Sequence, residues 1–419
     1  MELDRSMELL ERAKEIIPLQ AQTFSKSPAW FPFGAYPVYL EHGRDGRVID
    51  VDGNEFVDLI CGLGAISLGY QYFEVDKAIM DQLTKGIIFS LPHPLEVELA
   101  DLLKQVIPSA EMSRFCKNGT DATTAAVRLA RAITGREKVA NFGYHGGGSD
   151  WYGAGTDRPA GIPKVLKDYI IPFKYNDLQS LEAVFQENPD EIACVIMEPV
   201  IFTPPERAFL HDCMELAHLN KALFILDETL TGFRWALGGA QEYFKIVPDL
   251  ACFGKAMANG MPIAALVGKV EYMTALERLP IFFSYTFAGE CLSLAAAIAT
   301  IKEMRDHNTI TTCWQRGHLL TSGLISSGMK IVGYSCRPHL TWEGDETLSR
   351  SLFMEELASR GVLAHSVGIN LCASHTVEDI RQVTKAVLES WSVVRDAQEK
   401  GKVRETLKGK PIVPVFQRL

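Results

Sequence analysis

Between residues 70 and 300 the chain alternates short, unbroken apolar runs with longer segments whose apolar residues recur every three or four positions. The runs VANF, CVIMEP, LFILDE, LACFG, AALVG and FFSYTF are short enough to read as buried strands, and the segments between them as amphipathic helices. Such alternation predicts an α/β fold, a mostly parallel sheet covered by helices. Outside that stretch the pattern changes. MELDRSMELLERAKEII has the i, i+3, i+4 spacing of an amphipathic helix, and RVIDVDGNEFVDL alternates like a small antiparallel pair turning at Asp52, Gly53 and Asn54. Near the other end, ETLSRSLFMEELASRG and VEDIRQVTKAVLESW read as helices among short strand candidates. The expected division is 1–69 as the N-terminal segment of a small α+β unit, 70–300 as a large unit, and 301–419 as the rest of the small one.

Composition narrows the function. A net charge of -10 over 419 residues, with no long Lys/Arg cluster, argues against nucleic acid or an anionic membrane and leaves a small molecule as the expected partner. The nine cysteines read as scattered singly, without a C-x-x-C pair or a Cys/His pairing at zinc spacing, so reduced thiols, a cytoplasmic location and no metal are expected. No apolar run approaches the roughly 20 residues of a membrane span.

Candidate chemistry sits at strand ends. EIACVIMEP ends on Glu198, and ALFILDETLTGFR runs into Asp227 and Glu228. In open α/β sheets ligands bind beyond the carboxyl ends of the strands, although capping or a salt bridge would also explain such acids. A nucleotide fold would need G-x-x-x-x-G-K-[ST], and both Gly-Lys pairs, Gly254-Lys255 and Gly268-Lys269, lack the following hydroxyl. The stretch GLGAIS is likewise no dinucleotide fingerprint.

Three further stretches carry candidates. FCKNGTDATTAAVRLARAITG sets Asn118, Gly119 and Thr120 before a helix that stops at Gly135, which is a plain N-cap or a phosphate site. GYHGGGSDWYG holds Tyr144 among glycines that let backbone approach a flat ring. In PDLACFGKAMANGMP, Lys255 follows a short buried strand, where a lysine is a candidate Schiff-base amine.

Together with YTFAGE, these stretches resemble, in order and spacing, the class III pyridoxal-phosphate aminotransferases, nearest the glutamate-1-semialdehyde aminomutase branch. The resemblance implies a fold-type I enzyme with a mostly parallel seven-stranded sheet and pyridoxal 5'-phosphate as cofactor. It implies Lys255 as the amine forming the cofactor aldimine and shuttling the proton, Asp227 as partner of the pyridine nitrogen, and Tyr144 as the stacking ring. Asn118, Gly119 and Thr120 would hold the phosphate, and Thr286 would reach it from the partner subunit of a homodimer. Glu198 is expected in the pocket, whereas His145 and Arg234 match family positions and are read as structural.

The sequence departs from the aminomutase pattern in one place. The family's N-terminal arginine for the substrate carboxylate has no counterpart, since no Arg stands between Arg12 and Arg44; the loop supplies Phe24, Trp30, Phe31, Phe33, Tyr36 and Tyr39 instead. The expected activity is therefore transfer of an amino group from a donor to an aldehyde or ketone through the Lys255 aldimine and pyridoxamine phosphate, plausibly of a sugar or secondary metabolite. Glutamate-1-semialdehyde 2,1-aminomutase activity is the alternative, and a non-catalytic binding protein on the same fold the third reading.

Overall fold

The computed structural model describes residues 1–342, 346–365 and 368–415, and the chain divides into two compact units. The larger is Phe73–Ile310; the smaller combines Met1–Tyr72 with the residues from Thr311 onward. The second division falls beyond 300 because Cys291–Asp306 is one continuous helix, packed on the helix Phe73–Leu83 of the larger unit.

The larger unit is built on a seven-stranded sheet. From one edge its strands are Met112–Cys116, Ala264–Gly268, Leu250–Phe253, Leu223–Asp227, Ile192–Met197, Lys138–Phe142 and Ile170–Pro172. Ala264–Gly268 runs antiparallel to both neighbours, and the other pairings are parallel. The four strands from Ala264–Gly268 to Ile192–Met197 are buried at every position, as strands covered on both faces must be. Helix Gly119–Thr134 turns Ala122, Ala125, Ala126, Leu129 and Ala130 inward and packs on all four, its small residues allowing close approach. Cys194 and Cys213 serve this core as small apolar groups; burial pushes both thiols up to about 12.

One expectation about strands needs correction, and one strand was missed. FFSYTF forms no strand, because side chains take its carbonyls before any ladder can: Arg128 donates to Phe282 O at 2.5 Å and Arg114 to Phe283 O at 2.8 Å. The sheet edge is instead Met112–Cys116, whose mixed polarity concealed it.

In the smaller unit, Leu40–Arg44, Arg47–Asp50, Glu55–Asp58 and Val362–Leu363 form one sheet, joining the two ends of the chain, and Ile331–Tyr334 pairs with Arg337–Leu340. Asp52, in the expected turn, accepts the amides of Arg5 and Ser6 at 2.7 and 3.0 Å and so caps the helix Asp4–Ile16. The aromatic loop is largely consumed by this unit. Tyr36 is buried, donates to Ala364 O at 3.0 Å and stacks on Phe31, Trp30 lies 5.5 Å from the His365 ring, and Phe33 lies under Lys410. Among the described residues no helix is long and apolar enough to cross a membrane.

Close packing here makes a direct prediction. A Cβ on Gly317, inside the helix Thr309–Ile325, would stand 1.7 Å from the carbonyl oxygen of Ser335, a backbone atom that cannot swing aside. Gly317→Ala should cost roughly 1–3 kcal/mol, read as a lower urea midpoint. Gly323→Ala, in the same helix, meets only the Thr384 methyl at 3.1 Å and gains helix propensity, so its midpoint should stay near wild type. Equal midpoints for the two variants would contradict this packing.

Candidate active site

The two acids after Leu226 are used differently. Asp227 ends its strand with only 3% of its surface exposed. Its Oδ1 accepts the Thr229 amide at 3.1 Å and the Thr229 hydroxyl at 2.6 Å, and its Oδ2 lies 2.9 Å from His145 Nδ1. Glu228 is wholly buried and accepts the Thr231 hydroxyl at 2.5 Å and the amides of Ala240 and Gln241 at 2.7 and 2.8 Å. It fixes the turn into the helix Ala240–Phe244, and burial pushes its carboxyl up to about 7 despite those three donors. Only Asp227 belongs to the candidate site.

Thr229 is the centre on which the other pieces converge. A Cβ on Gly119 would stand 2.7 Å from its methyl, and one on Gly254, next to Lys255, 3.4 Å from the same methyl. The start of the helix Gly119–Thr134, the lysine turn and Asp227 thus meet around one side chain, beyond the carboxyl ends of the parallel strands. Lys255 is half-buried with a left-handed φ of 40°, at the head of a turn whose Ala256, Met257 and Ala258 are buried and packed on the helix Cys291–Asp306.

The helix start is arranged for an anion. Asp121 reaches back to the amides of Lys117 and Asn118 at 3.2 and 2.8 Å, leaving Gly119 and Thr120 as first-turn amides without an intrahelical acceptor. Thr120 Oγ1 is buried and has no hydrogen-bond partner among the described residues. The glycine loop closes over it: a Cβ on Gly146 would lie 2.5 Å from Thr120 Cβ, and one on Gly148 3.0 Å from Thr120 Cγ2.

Tyr144, half-buried, lies edge-on to Tyr152 at 5.6 Å and donates its amide to Glu198 Oε2 at 2.7 Å. Gly143 permits this, since its φ of 108° is left-handed and a Cβ there would meet Glu198 Oε2 at 2.7 Å. Glu198 therefore works on the loop that carries Tyr144. Thr286 is not gathered with the rest. It is exposed and lines an open groove of about 740 Å³ with His93, Glu96 and Ser113.

With this geometry in hand, comparison with known proteins is direct. The sequence profile described as aminotransferase class-III matches residues 33–382. The chain belongs to the class III aminotransferases. It is 37% identical, over 94% of its length and 98% of the relative's, to a 3-aminobutyryl-CoA aminotransferase of Cloacimonas acidaminovorans (strain Evry). It is also 38% identical, over 73% of its length and 74% of the relative's, to a glutamate-1-semialdehyde 2,1-aminomutase of Methanocaldococcus jannaschii. Among solved structures it is similar to the FumI protein of Sphingopyxis sp. MTA144 in its PLP internal aldimine form, with a TM-score of 0.88, 28% identity and coverage of 97% and 99% of the two chains. The fold is accordingly that of the fold-type I transaminases, and the chain is a pyridoxal-phosphate-dependent aminotransferase.

Two residues beside Asp227 gain parts that sequence reasoning had not given them. His145, read as structural, has a fully buried side chain on Asp227, stacks on Trp151 at 5.9 Å, and leaves Nε2 without a hydrogen-bond partner among the described residues. Nothing in Y-H-G-G-G announces that pairing. Thr229 did carry a signal: a hydroxyl two positions after an Asp is the signature of a local side-chain turn.

Glu228 gives the site's neighbourhood a pH signature. Its folded pKa near 7 lies above the ordinary 4.5, so the folded state binds the extra proton between those values. Stability from this group is then greatest below about 4.5 and falls as pH rises to about 7, levelling above. Wild type should lose stability relative to Glu228→Gln across that window, measured as the difference in thermal midpoint. Parallel curves would show that Glu228 is ionised throughout.

Proposed function

We propose that this aminotransferase moves an amino group from an amino-acid donor to a carbonyl acceptor with Lys255 as the reacting amine and Asp227 as the cofactor's buried counter-charge. The observation that carries the reading is the convergence of the turn bearing Lys255, Asp227 and the start of the helix Gly119–Thr134 on Thr229. The residues fit pyridoxal 5'-phosphate: an unpartnered Thr120 hydroxyl and open amides suit a phosphate, and a buried carboxylate suits a cationic ring nitrogen. Bound there, the cofactor supplies the carbonyl that accepts the amino group and a ring that withdraws electrons from the substrate carbon.

The chain's own residues do the rest. Lys255 would hold the cofactor through its amine, give way to the substrate amine, and then carry the proton from the donor carbon that bears nitrogen to the cofactor's carbonyl carbon, and in the return half-reaction from there to the acceptor carbon. Asp227, its charge fixed by Thr229 and His145, keeps the ring nitrogen protonated. Asn118, Gly119 and Thr120 hold the phosphate, and Tyr144 stacks on the ring, its loop tied down by Glu198.

For the acceptor, the favoured class is a 3-oxo acyl compound. The 37% identity to a 3-aminobutyryl-CoA aminotransferase supports it, as does the use of Trp30, Phe31, Phe33 and Tyr36 within the smaller unit, which leaves little aromatic surface for a sugar. A sugar or secondary-metabolite carbonyl stays as one arm of the test. The second reading is intramolecular transfer on glutamate-1-semialdehyde, favoured by aminomutase relatives at 32–38% identity and disfavoured by the missing arginine between Arg12 and Arg44.

Half-reactions separate these readings. Donors should convert the bound cofactor to its amine form, and 3-oxo acyl thioesters should restore the starting absorbance faster than keto-sugars. Rapid 5-aminolevulinate formation from glutamate-1-semialdehyde without a donor would sink the intermolecular reading. In wild type borohydride should fix the cofactor to Lys255, and Lys255→Ala should lose the fixation and at least about 10³-fold of activity. An unchanged absorbance band in Lys255→Ala would remove the assignment.

A homodimer with shared sites completes the proposal. Thr286 is exposed beside Leu91, Phe282 and Phe287, all more than half exposed, an apolar surface of the kind that a second copy covers. Thr286 would then reach the phosphate of its partner. Mixing Thr286→Ala and Lys255→Ala chains should restore up to about half the sites in the heterodimers, because one site carries both lesions and the other neither. No recovery despite proven subunit exchange would place Thr286 outside the shared site.

A further inference from the structure

The smaller unit holds a second cluster of reactive side chains, unrelated to Lys255. Cys61, from the turn after the strand Glu55–Asp58, meets Cys372 and His375, which precede the helix Val377–Glu399. All three are buried, and their ligand atoms lie within 4.8 Å of one another. Cys372 and His375 stand at C-x-x-H spacing, and Asp58 lies three residues before Cys61, so the reading of the cysteines as scattered singly missed a set that only the fold assembles.

We propose that Cys61, Cys372 and His375 bind a zinc-class divalent cation that clasps the two ends of the chain where they meet in the smaller unit. Distance is the first argument. Cys372 Sγ is 3.5 Å from His375 Nδ1, the separation of two neighbouring corners of a zinc tetrahedron. A cation among three donors so placed lies no more than roughly 2.6 Å from each, close to the Zn–S and Zn–N distances of about 2.3 and 2.0–2.1 Å, so small shifts complete the site.

The tautomer is the second argument. The Cys372 amide donates to His375 Nδ1 at 3.0 Å, so the lone pair is on Nδ1, beside the sulfur, and the proton is on Nε2. Coordination would take over that lone pair. The ring is held by the close backbone of Gly46, where a Cβ would stand 2.4 Å from His375 Cδ2.

Charge is the third. Asp58 is buried and accepts the Cys61 amide at 3.1 Å, the Ile60 amide at 2.8 Å and the Tyr70 hydroxyl at 2.6 Å. Its carboxyl orients the Cys61 turn, and a dication would offset the charge of two thiolates in a medium that poorly tolerates unbalanced charge. Cys61 Sγ now donates to the carbonyls of Asp58 and Asn370 at 3.2 and 3.4 Å; metal binding would release that proton and the one on Cys372.

The test uses the cofactor-loaded enzyme, incubated with zinc and then desalted. Wild type should retain about one zinc per chain by elemental analysis, and Cys372→Ala and His375→Gln should lose it, while Cys213→Ala, a buried thiol of the larger unit, should not. Asp58→Asn should weaken retention roughly 10–100-fold. Far-ultraviolet circular dichroism and a cooperative urea transition report whether each variant is folded. Should the variants misfold, wild type alone decides: in sub-denaturing urea, zinc should slow alkylation of Cys61 and Cys372 at least about tenfold relative to Cys213. No retained zinc, retention indifferent to Cys372 and His375, absence of protection, or a Cys61–Cys372 disulfide in protein purified under nitrogen would each overturn the site.

Discussion

The structure of the candidate site depends on satisfying one carboxylate where water is nearly absent. Asp227 is 3% exposed at the end of a fully buried strand, a position where an isolated ion would take up a proton. Three contacts hold it: the amide and hydroxyl of Thr229 on one oxygen and His145 on the other. Each partner is fixed in turn. Thr229 is wedged between Gly119 and Gly254, and His145 between Asp227 and Trp151. Gly119 is therefore part of that arrangement, since a Cβ there, 2.7 Å from the Thr229 methyl, would push away the group that satisfies the carboxylate, whereas one on Gly254 would meet the same methyl at an ordinary 3.4 Å.

What the sequence disclosed follows from which interactions are local. The parallel core was legible because strands buried on both faces must be apolar without interruption, as ILD after ALF and VIM after IAC are. Asp227, Lys255 and the Asn118-Gly119-Thr120 turn were legible because strand ends and helix starts are where unpaired polar groups collect. The edge strand Met112–Cys116 was hidden for the converse reason: half-covered, it needs no apolar run. FFSYTF had the composition of a strand, yet Arg114 and Arg128 occupy carbonyls that a neighbour would have used.

The long-range pairings were beyond the sequence altogether. His145 and Asp227 are 82 positions apart, and no local pattern distinguishes a histidine on a carboxylate from one that merely fills a turn. Glu228 was equally opaque. Adjacent to Asp227, it looked like the second of two site acids, but consecutive residues at a strand end diverge, and its oxygens are spent on Thr231, Ala240 and Gln241. The same divergence explains why neighbouring acids have separate partners: Asp227 is held by Thr229 and His145, and Glu228 by the turn into the helix Ala240–Phe244.

Lys255 shows the remaining constraint, which is backbone rather than charge. A lysine at a φ of 40° is in a region that costs an L residue of order 1 kcal/mol or more. The three residues after it are what hold it: Ala256, Met257 and Ala258 are buried and packed on the helix Cys291–Asp306, so relaxing the lysine would pull three apolar residues out of the core. Burial of these three outweighs the strain on one. The amine is thereby presented from a rigid turn beside Thr229 instead of from a mobile loop, and the small residues of KAMANG follow from the need to bring that turn against a helix at close range.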